Sequence, residues 1–300
     1  MLVWVTWLLP PQYEGTLMPP SKTPTLRQQR LGAELRKLRE RAGLSTVEAA
    51  ALLGVNQSRI SNIEAGRYAV SAERVRAIAR NYACSDEALV EALTAMTGRR
   101  ARGWWEEYRG RLPHAALDLA EFEHHATALR VAQALHIPGL LQTPQHARAL
   151  FGDAVPPLLP HEIEHRMSYR IKRQAVLYRE LSSPYTALIH EAALHMHVGG
   201  PAVAAEQLNH LVETSEHGNI TLLVVPFGRG AFPGSGQGID YAYGPVPQLD
   251  TVQLDTEHGS EFIDAVAQLE RYTTVLDRLE KLALPAEESR DLIHSIARRV

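Results

Sequence analysis

The sequence predicts two folded parts of different class, an all-α N-terminal domain followed by an α+β C-terminal domain. Apolar residues recur at helical spacing through residues 27–96, whereas later segments such as 185–191 and 220–227 are short apolar runs of strand type. Charge divides in the same place. Residues 22–84 carry twelve Lys/Arg against five Asp/Glu, a balance of +7, and residues 112–300 carry fourteen against twenty-three, a balance of −9. With 300 residues, 45% of them hydrophobic, the chain has material for two cores.

Residues 1–10 are apolar but have no basic residue ahead of them and no small-residue cleavage site behind, and they are too short to span a bilayer. Prolines at 10, 11, 19, 20 and 24 follow, with a second methionine at Met18. Residues 1–24 are therefore expected to be a disordered extension, or a stretch ahead of a true start at Met18. The single cysteine, Cys84, excludes an intrachain disulfide framework and a cysteine-based zinc finger, and suits a cytoplasmic location.

Residues 25–97 are expected to form the first domain. Leu31, Leu35 and Leu38 make one apolar face of a helix over 27–41 whose other faces are basic. Ser45 with Glu48 three residues on reads as a capping box, opening a second helix with Val47, Ala50, Ala51 and Leu53 on one side. Gly54 provides the turn. Asn56 caps a third helix that points Ile60 and Ile63 inward and Gln57, Ser58, Ser61 and Asn62 outward. Ser71 caps a fourth helix, and Ser85 or Asp86 a fifth. Together these make a five-helix, repressor-like helix-turn-helix domain.

The stretch 46–65, TVEAAALLGVNQSRISNIEA, resembles the helix-turn-helix of the lambdoid phage repressors and the xenobiotic-response-element (XRE) regulators, with the small residue, glycine and isoleucine at Ala50, Gly54 and Ile60. That resemblance implies double-stranded DNA as a partner and a homodimer reading two half-sites. Gln57, Ser58, Ser61 and Asn62 are the candidates for base contacts and Arg59 for a base or a phosphate. Thr46, Arg67, Arg27, Arg30 and Arg36 are the candidates for positioning on the backbone. In the family a glutamine often stands where this sequence has Thr46, which weakens the expected phosphate grip.

Residues 98–112, with Trp104 and Trp105, are expected to be a linker whose tryptophans plug the seam between domains. Residues 113–300 are expected to form the α+β domain. Within it, 137–143 (IPGLLQT) forces a turn, and 161–179 is a helix with Arg166, Arg170 and Arg173 on one side. The run 220–227 should be central in a sheet. Residues 228–238 form a glycine-rich loop, 239–243 and 251–255 are strands, and 262–284 and 287–298 are closing helices. In order, IPGLLQT, RMSYRIKRQAVLYR, HEAALHMHVGG, EQLNHL, VVPF and the terminal helices resemble the C-terminal domain of an actinobacterial regulator family called antitoxin-like. The resemblance implies transcriptional control through a small partner protein encoded nearby, and no catalytic activity.

No enzyme motif fits. His190 and His195 are five apart, so a helix would set them roughly 140° apart, whereas a zinc-protease pair needs four. The loop 228–238 lacks the lysine and following helix of a phosphate site. No cofactor, metal or membrane is expected. Two other readings of the C-terminal domain stand beside the partner protein: a small-molecule effector held between helix 161–179 and the sheet, with the glycine loop as lid, and, less favoured, a metal-dependent enzyme tethered to DNA.

Overall fold

The computed structural model describes residues 23–97, 103–179, 182–234, 236–256 and 259–300. The expected extension, Met18 included, lies outside them except for residues 23 and 24. Contacts divide the described residues into two compact units, one comprising Trp104–Gly244 with Asp250–Val300, the other residues 23–97 and Gly103 with Pro245–Leu249.

The N-terminal unit consists of helices α1 (Leu26–Arg41), α2 (Thr46–Leu52), α3 (Gln57–Glu64), α4 (Ala72–Asn81) and α5 (Glu87–Ala95). Each is opened by a side-chain oxygen, from Thr25, Ser45, Asn56, Ser71 and Asp86, that accepts one of the first-turn amides a helix leaves unpaired. Their apolar faces meet in one cluster that includes Leu35, Ala50, Ile60, Val75, Ile78 and Leu93. Ala49 and Ala50 are the inward residues of α2, which turns Val47 outward to 59% exposure, against the expected orientation.

The C-terminal unit opens with a 3-10 turn (Trp104–Tyr108), then α6 (His114–His125), β1 (Ala128–Gln133), a 3-10 turn (Gly139–Leu141), α7 (Pro144–Gly152) and α8 (Pro160–Gln174). There follow β2 (Tyr185–His190), α9 (Glu191–Leu194), α10 (Pro201–Thr214), β3 (Ile220–Val225), β4 (Ile239–Tyr243), β5 (Thr251–Thr256), β6 (Gly259–Ile263), α11 (Val266–Leu282) and α12 (Ala286–Ala297). The strands make one mixed sheet in the order β3-β2-β1-β4-β5-β6, parallel among β1, β2 and β3 and antiparallel from β4 onward. One face packs on Leu269, Leu276 and Leu279 of α11, and the other on residues such as Leu208 and Leu211 of α10 and Ile293 of α12. The domain is α+β, as its sequence predicts.

Three expectations are corrected. The run 220–227 is not central: β3 is the edge of the sheet. It is nonetheless apolar because it is covered on both faces and along its outer edge, where Val224 N–H donates to Ser289 Oγ at 2.9 Å and Leu284 N–H donates to the Val224 carbonyl at 2.8 Å. Phe262 begins no helix; it lies in β6, a strand whose register with β5 pairs it with Gln253, and α11 starts four residues later. Trp104 and Trp105 are part of the C-terminal unit, not of a linker at a seam. Trp104 packs 5.5 Å from the Tyr169 ring of α8, and Trp105, 4% exposed, joins Tyr108, Leu117 and Ala120 in a cluster that seals α6 to α8.

The Ser289 hydroxyl, 0% exposed, closes a sheet edge by accepting from Val224 and donating to the Leu284 carbonyl at 3.0 Å. Ser289→Ala should lower the stability of the C-terminal unit by about 1–3 kcal/mol, the cost of a buried amide left without its partner. Urea unfolding followed by circular dichroism checks this; an unchanged midpoint would show that the edge does not need the hydroxyl.

Candidate nucleic-acid interface

The turn between α2 and α3 is built from three local devices. Ser45 and Glu48 close a reciprocal capping box, with Ser45 N–H donating to Glu48 Oε2 at 2.8 Å and Glu48 N–H to Ser45 Oγ at 3.2 Å. Hydrogen bonds to its carboxyl from the Ser45 side chain and backbone hold Glu48 below the usual carboxylate range. Gly54 takes a left-handed φ of 63°, and Asn56 Oδ1 accepts from Arg59 N–H at 2.8 Å to start α3.

Helix α3 is then fixed against α1. A Cβ at Gly32 would stand 2.4 Å from the Glu64 carbonyl oxygen, and one at Gly66 would stand 2.8 Å from the Gln28 backbone, so the two helices approach as closely as glycine allows. Beside that contact Arg39 forks onto Glu64, Nε to Oε1 at 2.6 Å and Nη2 to Oε2 at 3.0 Å, and its Nη1 donates to the Leu44 carbonyl at 2.7 Å. The hydrogen bonds to Glu64 hold the Arg39 guanidinium above its usual pKa. With Ile60 and Ile63 buried, the opposite side of α3 is left at the surface.

On that side Gln57, Ser58, Arg59 and Ser61 are exposed and Asn62 is half-buried. Gln57 Nε2 donates to Thr46 Oγ1 at 3.0 Å, which fixes the amide while leaving its oxygen and second N–H to point outward. Ser58 Oγ donates to Asn56 Oδ1 at 2.9 Å, and Asn62 Nδ2 to the Ser58 carbonyl at 2.8 Å, so part of the capacity of both is spent within the helix. Arg67 is exposed, its guanidinium 3.5 Å from Asn62 Oδ1.

The basic residues of α1 divide. Arg36 is exposed and paired with Glu40 at 2.7 Å. Arg27 is half-buried and donates to the Ala95 carbonyl at 3.1 Å, tying α1 to the end of α5. Arg30 departs from the expected phosphate contact: it is 8% exposed and lies 3.5 Å from Glu34, which is itself buried. The leucine spacing of α1 marks which residues are apolar but not how far its buried arc extends, and Arg30 falls within it. The Arg39–Glu64 pair was missed for a related reason, since charged residues 25 positions apart carry no local signal.

A second polar arrangement lies in the C-terminal unit. The α8 arginines turn inward, and Arg173, 8% exposed, forks onto Glu123 of α6 at 2.6 Å through both Nε and Nη2. Burial disfavours its charge, but Glu123 prevails and holds the guanidinium above its usual pKa. These residues and Asp240 of β4 line a small pocket with apolar walls that include Phe122, Val131 and Leu140 and with room for about one water molecule. Burial, reinforced by Asp255 and Glu123, pushes the Asp240 carboxyl up to about 8. Gln133, 5% exposed, hydrogen-bonds to Asp240. Among the described residues neither Gln133 Oε1 nor Asp240 Oδ1 has a donor. A charged residue in the apolar strand 239–243 is the signal that marks this site in the sequence.

Of the histidines weighed for metal, His190 uses its Nδ1 to accept from Ala192 N–H at 3.1 Å, capping α9, while its ring lies 5.2 Å from that of Phe227. His195 Nε2 is 3.5 Å from Glu191 Oε1. Among the described residues no three His, Cys, Asp or Glu side chains are grouped as metal ligands. No described helix is long and apolar enough to cross a membrane.

Residues 30–93 match a helix-turn-helix domain, which together with the α2–α3 geometry points to a DNA-binding regulator. Residues 116–295, more than half of the chain, match a domain of unknown function (DUF5753), and the chain belongs to that family. No curated protein and no solved structure matches it.

Replacing Glu64 with alanine strips a buried guanidinium of its carboxylate and should destabilise the N-terminal unit by about 3–5 kcal/mol. Thermal unfolding of the variant measures this. A loss below about 1 kcal/mol would place the pair among weak surface ion pairs and remove it as the anchor of α3.

Proposed function

We propose that the protein is a sequence-specific transcription regulator of the XRE type that binds double-stranded DNA as a homodimer in the cytoplasm. The observation that carries this reading is the outward amide of Gln57 at the first turn of α3, set by Thr46 and placed where an N-terminal recognition-helix residue meets base edges. Arg59 and Ser61 extend that surface, Ser58 and Asn62 contribute what their internal bonds leave, and Arg67 sits at the exit of the helix for a phosphate. Arg27, in the first turn of α1, has one guanidinium N–H on the Ala95 carbonyl and offers its remaining donors to a phosphate; Arg30 supports the helix rather than the nucleic acid. The balance of +7 over residues 22–84 supports a polyanionic partner.

The C-terminal unit, with a balance of −9 over residues 112–300, is suited to receiving a signal and not to lying along DNA. We assign it the antitoxin-like role: a small partner protein encoded nearby binds it and changes the affinity for DNA. The small polar pocket beside α8, lined by Glu123, Arg173 and Asp240, supports a second reading in which a small molecule is the effector.

Once a site has been selected from randomised DNA, Gln57→Ala should cost about 1–3 kcal/mol at one base position and leave binding to random DNA unchanged. Arg67→Ala should weaken every sequence alike and reduce the slope of log K against log salt by about 1. Fluorescence anisotropy at several salt concentrations measures both. Equal losses on selected and random DNA for Gln57→Ala would withdraw it from base reading.

A further inference from the structure

The two edges of the C-terminal sheet are finished in opposite ways. At the β3 edge, Ser289 and Leu284 take up the outward amide and carbonyl of Val224. At the β6 edge nothing does so: residues 259–263 pair with β5 on one side, and among the described residues no hydrogen bond reaches their backbone from the other. In an antiparallel pair alternate residues turn N–H and C=O away from the partner, so β6 presents a row of donors and acceptors to solvent. Its side chains divide by register. Glu261 and Ile263, opposite Leu254 and Val252, stand on the side packed by α11, with Glu261 exposed and in no ion pair among the described residues. Phe262 lies on the other side, half-buried, its ring 5.7 Å from that of Phe122 of α6.

We propose that the β6 edge is the docking site for a strand of a partner protein, which adds to the sheet beyond β6 and carries lysine or arginine opposite Glu261 with an apolar residue beside Phe262. Main-chain hydrogen bonds supply the attraction, and the side chains choose the strand. A second copy is disfavoured as the occupant. Two β6 strands paired antiparallel over their full length about a two-fold axis set Glu261 directly against its counterpart, and like charges so placed repel. The balance of −9 over residues 112–300 acts in the same direction, against another copy and for a basic chain. Glu261 is a selective guard that turns away acidic strands and leaves the backbone open, whereas Ser289 is a permanent seal on the far edge. The proposal rests on the reading in which the C-terminal unit receives a partner protein, and it assigns the surface and the chemistry of that contact.

The probe is a blocked peptide as long as β6 in which lysine alternates with valine, added to the full chain and followed by hydrogen exchange with mass spectrometry. Residues 259–263 should exchange about tenfold more slowly at a peptide concentration about ten times its Kd. The same peptide methylated at every backbone nitrogen should give no protection, because it cannot donate to the edge, and neither should one with glutamate in place of lysine. Glu261→Lys, at an exposed position, should fold and reverse the preference, taking the glutamate peptide and refusing the lysine one. The proposal is overturned if the lysine peptide leaves exchange at 259–263 unchanged, if the methylated peptide protects equally, or if Glu261→Lys still prefers lysine. Protection that grows with the concentration of the chain alone would assign the edge to a second copy and overturn it as well. Whether a partner alters DNA affinity is read separately, by adding the product of the neighbouring gene to a DNA titration, so loss of the edge and loss of the regulatory role give different results.

Discussion

The fork of Arg39 onto Glu64 is the interaction on which the reading surface depends. It joins the last turn of α1 to the last residue of α3, and Gly32, against the Ile63–Glu64 backbone, and Gly66, against the Gln28 backbone, remove the side-chain thickness that would otherwise separate the two segments. A recognition helix of eight residues has little stability of its own, so its orientation has to come from what it packs against. With Ile60, Ile63 and Glu64 all held on one side, the polar residues on the other have one direction in which to point. Thr46 then narrows that direction further at Gln57.

The C-terminal unit solves a different problem, which is how to bury charge without leaving it unpaired. Its sheet presents apolar residues to α11 on one face, but the other face mixes hydrocarbon with Gln133, Asp240 and Gln253. Glu123 and Arg173 answer each other there, and Ser289 closes the β3 edge. Asp240 is left with one oxygen that nothing in the described chain satisfies. Stability alone does not require that arrangement, since an apolar residue in β4 would remove the cost.

Much of this is legible in the sequence where the determinant is local. The caps at Ser45, Asn56, Ser71 and Asp86 lie within three residues of the amides they serve, and the helices follow from them. The strands at 185–190, 220–225 and 239–243 show in their β-branched and apolar runs. What could not be read is what depends on partners far along the chain. The apolar run of β3 reports burial but does not distinguish a central strand from an edge closed by Leu284 and Ser289. Likewise the spacing of Arg166, Arg170 and Arg173 puts them on one side of α8, yet only Glu123, fifty residues earlier, turns Arg173 inward. Trp104 and Trp105 sit in a charged stretch that looks like a connector until Tyr169 is seen beside them.

The account rests on α3 reading base sequence, and binding of the full chain to DNA from its own upstream region, measured against random DNA across a range of salt, tests it most directly. It predicts a preference of about a thousandfold or more for one site, with affinity falling steeply as salt rises. Equal affinity for both DNAs with a shallow salt slope would contradict it and leave the helix-turn-helix as scaffold.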